Sequence, residues 1–266
     1  MSGRTASHWF DNIKEEIKDQ RTSRQNNLRF AAAILPAAWN AVRLARRVML
    51  DHNYRSILRL QLFNHEEVHQ TSSTTFMNRY PAIFTAAKNY FAGKPNLNLL
   101  SYGCSTGEEV LTLRQYFPNA RIIGAEINKR SLHICRSLPV DDQIAFIKST
   151  SEELAKHGPY DAIFCMAVLQ RKPHDITDKG ITDLSGIYPF EKFERQVNEL
   201  NQLVMPSGLL IIHFTQYSFL DTAAASYYKV MEGYSQHKYP SHVFDKNSKL
   251  ALNKLPYPSI FIKTNT

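Results

Sequence analysis

Short apolar runs alternate with helical patterns through the second half of the chain. The runs lie at residues 97–102, 122–125, 144–147, 162–166 and 209–214, with a last predicted strand at 259–263. Strands separated by helices are typical of βαβ units, whose strands pair in parallel. The pattern therefore predicts an α/β fold with a doubly wound, mostly parallel sheet.

The first part of the chain has apolar residues at helical spacing instead. An amphipathic helix with a basic face is predicted from Trp39, Val42, Ala45 and Met49, which recur beside Arg43, Arg46 and Arg47, and Pro36 suits its start. A second helix is predicted around Tyr54, Ile57, Leu58 and Leu62, and a third over 81–91. The Ser/Thr run 71–75 is typical of a loop between structural units, so we expect a helical N-terminal extension over 1–70 and a core domain over 71–266.

A long insertion, residues 170–189, separates the fourth and fifth predicted strands. It is followed by a predicted helix over 190–204, which ends at the turn Met205-Pro206-Ser207-Gly208. We expect the insertion to lie at the face where a doubly wound sheet binds its ligand.

Composition narrows the class of protein. The 266 residues are 43% hydrophobic and 21% charged, with no apolar run of membrane-spanning length and no apolar signal-peptide core near residues 1–7. We therefore expect a soluble, cytoplasmic protein. Cys104, Cys135 and Cys165 are widely spaced, which argues against disulfides and a metal site and favours buried thiols.

The net charge of +8 is concentrated near the N-terminus, where residues 1–60 hold 11 Lys/Arg against 5 Asp/Glu. Such a segment can attract nucleic acid, anionic lipid or an acidic substrate, but it is more often a solvated helix face.

Two glycines and one acidic residue carry the predicted chemistry. Gly103 and Gly107 follow the first strand, where backbone must approach a ligand closely, and Glu126 ends the next strand. An acidic side chain at that position accepts hydrogen bonds from ribose hydroxyls. Glu108 and Glu109 open the following helix and would repel a pyrophosphate, but they suit a ligand with a sulfonium and an ammonium. S-adenosylmethionine is therefore favoured over NAD.

The stretch Ser105-Thr106-Gly107-Glu108-Glu109 resembles the signature of the chemotaxis-receptor glutamate methyltransferase family. The segment 75–79, Thr-Phe-Met-Asn-Arg, resembles that family's Thr-x-Phe-Phe-Arg sequence. Farther along, 161–165 and 206–210 resemble its fourth strand and the turn into its fifth. The resemblance covers about residues 71–215 and implies a seven-stranded, Rossmann-like methyltransferase fold.

The resemblance also implies a set of cofactor-binding residues. Thr75 and Arg79 would lie near the reacting methyl, Glu108 at the amino acid part, Glu126 at the ribose and Thr150-Ser151 beside adenine. The full candidate set is Thr75, Arg79, Tyr102, Gly103, Cys104, Ser105, Gly107, Glu108, Glu126, Ile127, Thr150, Ser151, Met166 and Ala167.

This chain departs from the family at two points. Where the family's fourth strand runs Cys-Arg-Asn-Val, it has Cys165-Met166-Ala167-Val168, and the receptor-docking β insert has no evident counterpart. A receptor glutamate as substrate therefore does not follow.

Methyl transfer from a sulfonium mainly requires alignment of the reacting atoms in a dry pocket. A carboxylate acceptor needs no general base and could be held by Arg79, the one candidate catalytic residue. A hydroxyl or amine would benefit from a base. The candidates for a base are His174, Asp175, His213, Tyr217 and His242.

The favoured hypothesis is transfer of the methyl group to an oxygen or nitrogen atom of a small-molecule acceptor. The tail aromatics would form either a lid over that molecule or part of the core: Tyr217, Phe219, Tyr227, Tyr228, Tyr234 and Tyr239. Two alternatives stay open: an RNA methyltransferase that grips phosphates with the basic N-terminal helices, and a non-catalytic S-adenosylmethionine binder. Those helices could also pair with a second copy in a homodimer.

Overall fold

The computed structural model describes residues 15, 39–63, 66–70, 74–252 and 256–265. The chain divides into two compact units, Met1–Arg55 and Ser56–Thr266. In the first unit, residues 39–50 form a helix, as predicted, with Trp39 and Met49 exposed. The basic segment predicted before residue 39, together with Pro36, lies outside the described residues, apart from Glu15. So do residues 71–73 of the Ser/Thr run.

The second predicted helix is α1 (His52–Phe63). Within the second unit, Leu60, Val68 and His69 are buried. The boundary between extension and core at residue 70 stays a prediction. Within the described residues, no helix is long and apolar enough to cross a membrane.

The core of the second unit alternates helices and strands. Its helices are α2 (Pro81–Tyr90), α3 (Glu108–Tyr116), α4 (Lys129–Arg136), α5 (Ser151–His157), α6 (Pro173–Asp178) and α7 (Phe190–Leu203). Its strands are β1 (Asn98–Tyr102), β2 (Arg121–Glu126), β3 (Ile144–Lys148), β4 (Tyr160–Met166), β5 (Val204–His213), β6 (Tyr228–Val230) and β7 (Ile260–Lys263). Short 3₁₀ turns at Phe219–Asp221 and Ala223–Tyr227 precede β6.

The seven strands form one sheet in the order β3-β2-β1-β4-β5-β7-β6. Neighbours from β3 to β5 pair in parallel, whereas β7 runs antiparallel to both β5 and β6. This confirms the predicted doubly wound, mostly parallel, Rossmann-like fold. The order reverses beside β1, so the carboxyl ends of β1 and β4 open a crevice for a ligand.

Burial on both faces of the sheet explains why its strands read as continuous apolar runs. All seven residues of β4 are buried, and α7 packs one face with Phe193, Val197 and Leu200, which recur at helical spacing. In contrast, β6 has only three residues and none is fully buried. That strand was missed because it lacks an apolar run.

The structure corrects the predicted start of the fifth strand. β5 begins at Val204, where helix α7 ends, rather than at Leu209. Tyr160 pairs with Val204 and Ala162 with Leu209, so the predicted turn 205–208 is a bulge within the strand. Ser207, with φ of 57°, takes the left-handed conformation there.

Candidate active site: two adjoining clefts

The loop after β1 folds back on the end of β2. Gly103 and Cys104 donate their backbone N–H groups to Ala125 O at 2.8 and 3.1 Å. Gly103 has φ of 76°, and a Cβ there would lie 2.6 Å from Val168 Cγ2. Gly107 has φ of 101° at the N-cap of α3, and its Cβ would lie 2.6 Å from Leu138 Cδ1. The backbone conformation and the neighbouring side chains therefore require glycine at both positions, even without a ligand.

Glu126 ends β2 as a buried carboxylate. Its Oε2 accepts the backbone N–H of Ser105 at 2.8 Å, and its Oε1 accepts that of Asn128 at 2.7 Å. Burial raises the pKa of Glu126, and these backbone hydrogen bonds oppose the rise. A carboxylate has about four acceptor sites, so Glu126 keeps capacity for further hydroxyl donors.

Glu126 borders a cleft at the carboxyl ends of β1, β2 and β4, and this cleft is open to solvent at its mouth. We call it the first cleft. Ten of the fourteen predicted cofactor residues line it: Thr75, Arg79, Tyr102, Gly103, Cys104, Ser105, Glu126, Ile127, Met166 and Ala167. Its walls also include Asn128, Ser131 and Ser149, which sequence reasoning missed because no motif marks them.

The other four predicted residues lie outside that lining. Gly107 caps α3, and the Glu108 carboxylate accepts the Thr106 hydroxyl at 2.7 and 2.9 Å. Thr150 and Ser151 border an adjoining pocket that shares Tyr102 and Ser149 with the first cleft. The binding roles of all fourteen residues stay predictions.

Glu109, rather than Glu108, is the acidic residue of α3 that lines the first cleft. Its carboxylate accepts the Ser101 hydroxyl at 2.7 Å from β1. Burial raises the pKa of Glu109 to about 7, although this hydrogen bond and the nearby Arg79 cation both lower it. The Glu109 side chain is therefore close to half-protonated at neutral pH.

Arg79 lies on the border between the first cleft and a second one. Its Nη1 donates to Thr74 O at 2.9 Å, and its guanidinium carbon lies 5.1 Å from the Tyr80 ring centroid and 5.5 Å from that of Phe76. Among the described residues, no carboxylate forms an ion pair with Arg79. Most of its donors are thus available to a ligand.

The second cleft is also open to solvent at its mouth. It shares Gln70, Thr74, Arg79 and Ala167 with the first cleft. Its other walls come from the predicted insertion and from the segments after β5: Gln170, Lys172, Pro173, His174, Asp175, Phe214 and Pro240. The insertion therefore lies at the carboxyl end of the sheet, as expected.

Of the five candidate bases, two line the second cleft and two are buried. His174 and Asp175 line the second cleft. His213 is buried, contacts the Ser259 hydroxyl through Nδ1 at 2.8 Å, and has a pKa lowered by burial to about 4. Tyr217 is buried, and burial raises its pKa while its hydroxyl donates to Tyr188 O. Neither His213 nor Tyr217 lines either cleft, and nor does His242.

The tail aromatics divide in the same way. Tyr217 and Phe219 belong to the core, and Tyr227 is 48% exposed. Tyr239 backs the second cleft, where its hydroxyl donates to Gln170 Oε1 at 2.8 Å. A lid made of the whole set is therefore wrong.

Comparison with known proteins agrees with this geometry. Residues 99–185 match a family model described as "Methyltransferase domain". This segment contains the glycine loop, Glu126 and the loop after β4. Over this segment the chain is similar to a methyltransferase domain, in agreement with the prediction of a methyltransferase that uses S-adenosylmethionine. No protein of curated function matches the sequence.

Several solved structures resemble the fold at low sequence identity. The plantazolicin methyltransferase BpumL in complex with SAH has 17% identity and a TM-score of 0.39, with 64% of this chain and 56% of that chain covered. CalS10, an amino pentose methyltransferase from Micromonospora echinaspora, has 16% identity and a TM-score of 0.38, with 53% and 51% covered. The chain thus spans little more than half the length of these structures.

Proposed function

We propose that the protein transfers a methyl group from S-adenosylmethionine to an oxygen or nitrogen atom of a small-molecule acceptor. The carrying observation is the buried Glu126 carboxylate, which two backbone N–H groups hold at the wall of the first cleft. A rigid acceptor of this kind suits the two ribose hydroxyls of a nucleoside.

The chemistry of the first cleft fits this cofactor. Glu126 offers oxygen acceptors to the ribose, and Glu109 offers a counter-charge to the ammonium of the amino acid part. When bound, the cofactor supplies a methyl group on a sulfonium.

Two features of the chain serve the transfer itself. The side chains of Met166 and Ala167 and the ring of Phe84 make part of the first cleft apolar, which excludes water. The second cleft adjoins it at Arg79 and Ala167, so an acceptor there can approach the methyl group. The chemotaxis-receptor resemblance supports the same cofactor residues and leaves the acceptor open.

Calorimetric titration with S-adenosylmethionine and with NAD tests the proposal on the full chain, on Glu126→Ala and on the exposed control Glu232→Ala. We expect micromolar S-adenosylmethionine binding that weakens at least roughly tenfold in Glu126→Ala, because hydrogen bonds to a charged group are lost. The control should bind like the native chain, and thermal unfolding should confirm that both variants fold. Binding of NAD without binding of S-adenosylmethionine would refute the proposal.

A further inference from the structure

The second cleft combines a positively charged border with an apolar wall. We infer that it binds the methyl acceptor and that this acceptor is an organic acid with a flat apolar body. The inference rests on the proposed function and adds the chemical class of the substrate.

The charge of the cleft selects an anion. Arg79 and Lys172 both line it, and neither forms an ion pair with a carboxylate of the described residues. The one acidic lining residue, Asp175, lies 3.8 Å from Lys179, which offsets its charge. Two cations in the lining of one cleft attract a carboxylate, and the planar guanidinium of Arg79 matches it in a bidentate pair.

The apolar part of the lining selects an apolar, flat body. Phe214 lines the cleft beside Pro173 and Pro240. The Phe214 ring is held in place because His213 stacks on it at 4.3 Å between centroids, with 19° between the planes. A fixed aromatic ring next to two prolines favours a planar hydrocarbon over a flexible polar chain.

Buried polar side chains hold the segment after β4, which contributes residues to the cleft, in one conformation. Gln170 Nε2 donates to Ala167 O at 3.0 Å, and Gln216 Oε1 accepts the backbone N–H of Arg171 at 2.8 Å. The Thr215 hydroxyl donates to Leu169 O at 2.9 Å. A surface loop that merely connects β4 to α6 does not need three buried polar side chains, whereas a binding wall benefits from such rigidity.

The backbone around the cleft stores strain. Ala167, Lys172 and Phe214 have φ of 58°, 41° and 58°, a region that residues other than glycine rarely adopt. All three line the second cleft. Strained residues persist where the surroundings hold them and cluster at ligand sites.

The test uses 2-naphthoate as the acidic probe and 2-naphthylmethanol and 2-naphthylmethylamine as its neutral and cationic counterparts. Each is titrated into the full chain by ligand-observed NMR, with S-adenosylhomocysteine present to fill the first cleft. We expect 2-naphthoate to bind roughly three- to tenfold more tightly than the alcohol, and the amine more weakly still. Lys172→Gln should reduce this preference, whereas Lys88→Gln, an exposed lysine outside both clefts, should leave it unchanged.

Three results would overturn the inference: equal binding of the acid and the alcohol, equal loss in Lys172→Gln and Lys88→Gln, or binding of 2-naphthoate only in a parallel titration without S-adenosylhomocysteine. The cofactor titration separates this failure from that of the proposed function. If S-adenosylmethionine binds through Glu126 but 2-naphthoate does not bind, only the acceptor class is wrong. If S-adenosylmethionine does not bind at all, the proposed function itself fails.

Discussion

Replacing Glu109 with Gln removes a carboxyl group that titrates near neutral pH at the wall of the first cleft. Burial raises the pKa of Glu109 to about 7, so about half of the molecules carry its proton at pH 7. A cation bound beside this carboxyl group stabilises its charged form and lowers its pKa. Binding of the cofactor's ammonium should therefore expel the proton.

The expected magnitude is roughly half a proton released per bound cofactor at pH 7, falling toward zero at pH 9, where the group is already ionised. Glu109→Gln should release none through this group and bind S-adenosylmethionine roughly tenfold more weakly, because a charge-assisted hydrogen bond is lost. Glu108→Gln is the matched control. The Glu108 carboxylate is engaged by the Thr106 hydroxyl and does not line the cleft, so proton release should persist.

Calorimetry in buffers of different ionisation enthalpy measures the proton count directly, because released protons are taken up by the buffer. The same titrations at pH 6, 7 and 9 give its pH dependence. Proton uptake in the native chain, or equal release from the native chain and Glu109→Gln, would refute the reasoning. Loss of release in Glu108→Gln alone would assign the ammonium to Glu108 instead, as the family resemblance implies.

Three further predictions concern stability and are read from denaturant unfolding. The raised pKa of Glu109 favours its protonated form in the folded state, so the free energy of unfolding falls by about 3 kcal/mol as pH rises from 4.5 through 7. Glu109→Gln should remove this loss. Burial lowers the pKa of His69 to about 3, so the free energy of unfolding should fall by up to about 5 kcal/mol as pH falls from 6.5 toward 3. His69→Gln should reduce this pH dependence. Gly103→Ala should lower the free energy of unfolding by about 1–3 kcal/mol. Adding Val168→Ala to that variant should remove the steric clash but not the cost of the positive φ. Full recovery of stability would show that φ is unimportant at this position.

Most of the sheet could be predicted because its strands are buried on both faces. The predicted strands at 97–102 and 144–147 differ from β1 and β3 by one residue at one end, and the predicted strand at 122–125 differs from β2 by one residue at each end. The errors in the predicted strands lie where the local sequence pattern disagrees with the strand pairing in the sheet. β5 includes a bulge that reads as a turn, and β6 is set by antiparallel pairing with β7 rather than by its own sequence.

The site was predicted in part for a related reason. Glu126 could be found because its position depends on the spacing between two strands and the glycine loop. The choice between Glu108 and Glu109 could not be made, since adjacent residues on a helix point about 100° apart and only packing sets the rotation. The second cleft had no motif at all, because its walls come from segments far apart in the chain.

The sequence by itself determined most of the order of helices and strands and the glycine loop with Glu126 at the next strand end, and it predicted a site suited to a cationic nucleoside. These features depend on local periodicity and short spacings. Only the tertiary structure decided that Glu109 faces the cleft with a pKa near neutrality, because desolvation depends on the surrounding fold. It also brought Arg79, Lys172 and Phe214 to one cleft, since contacts across more than a hundred residues follow from sheet topology and not from any local pattern.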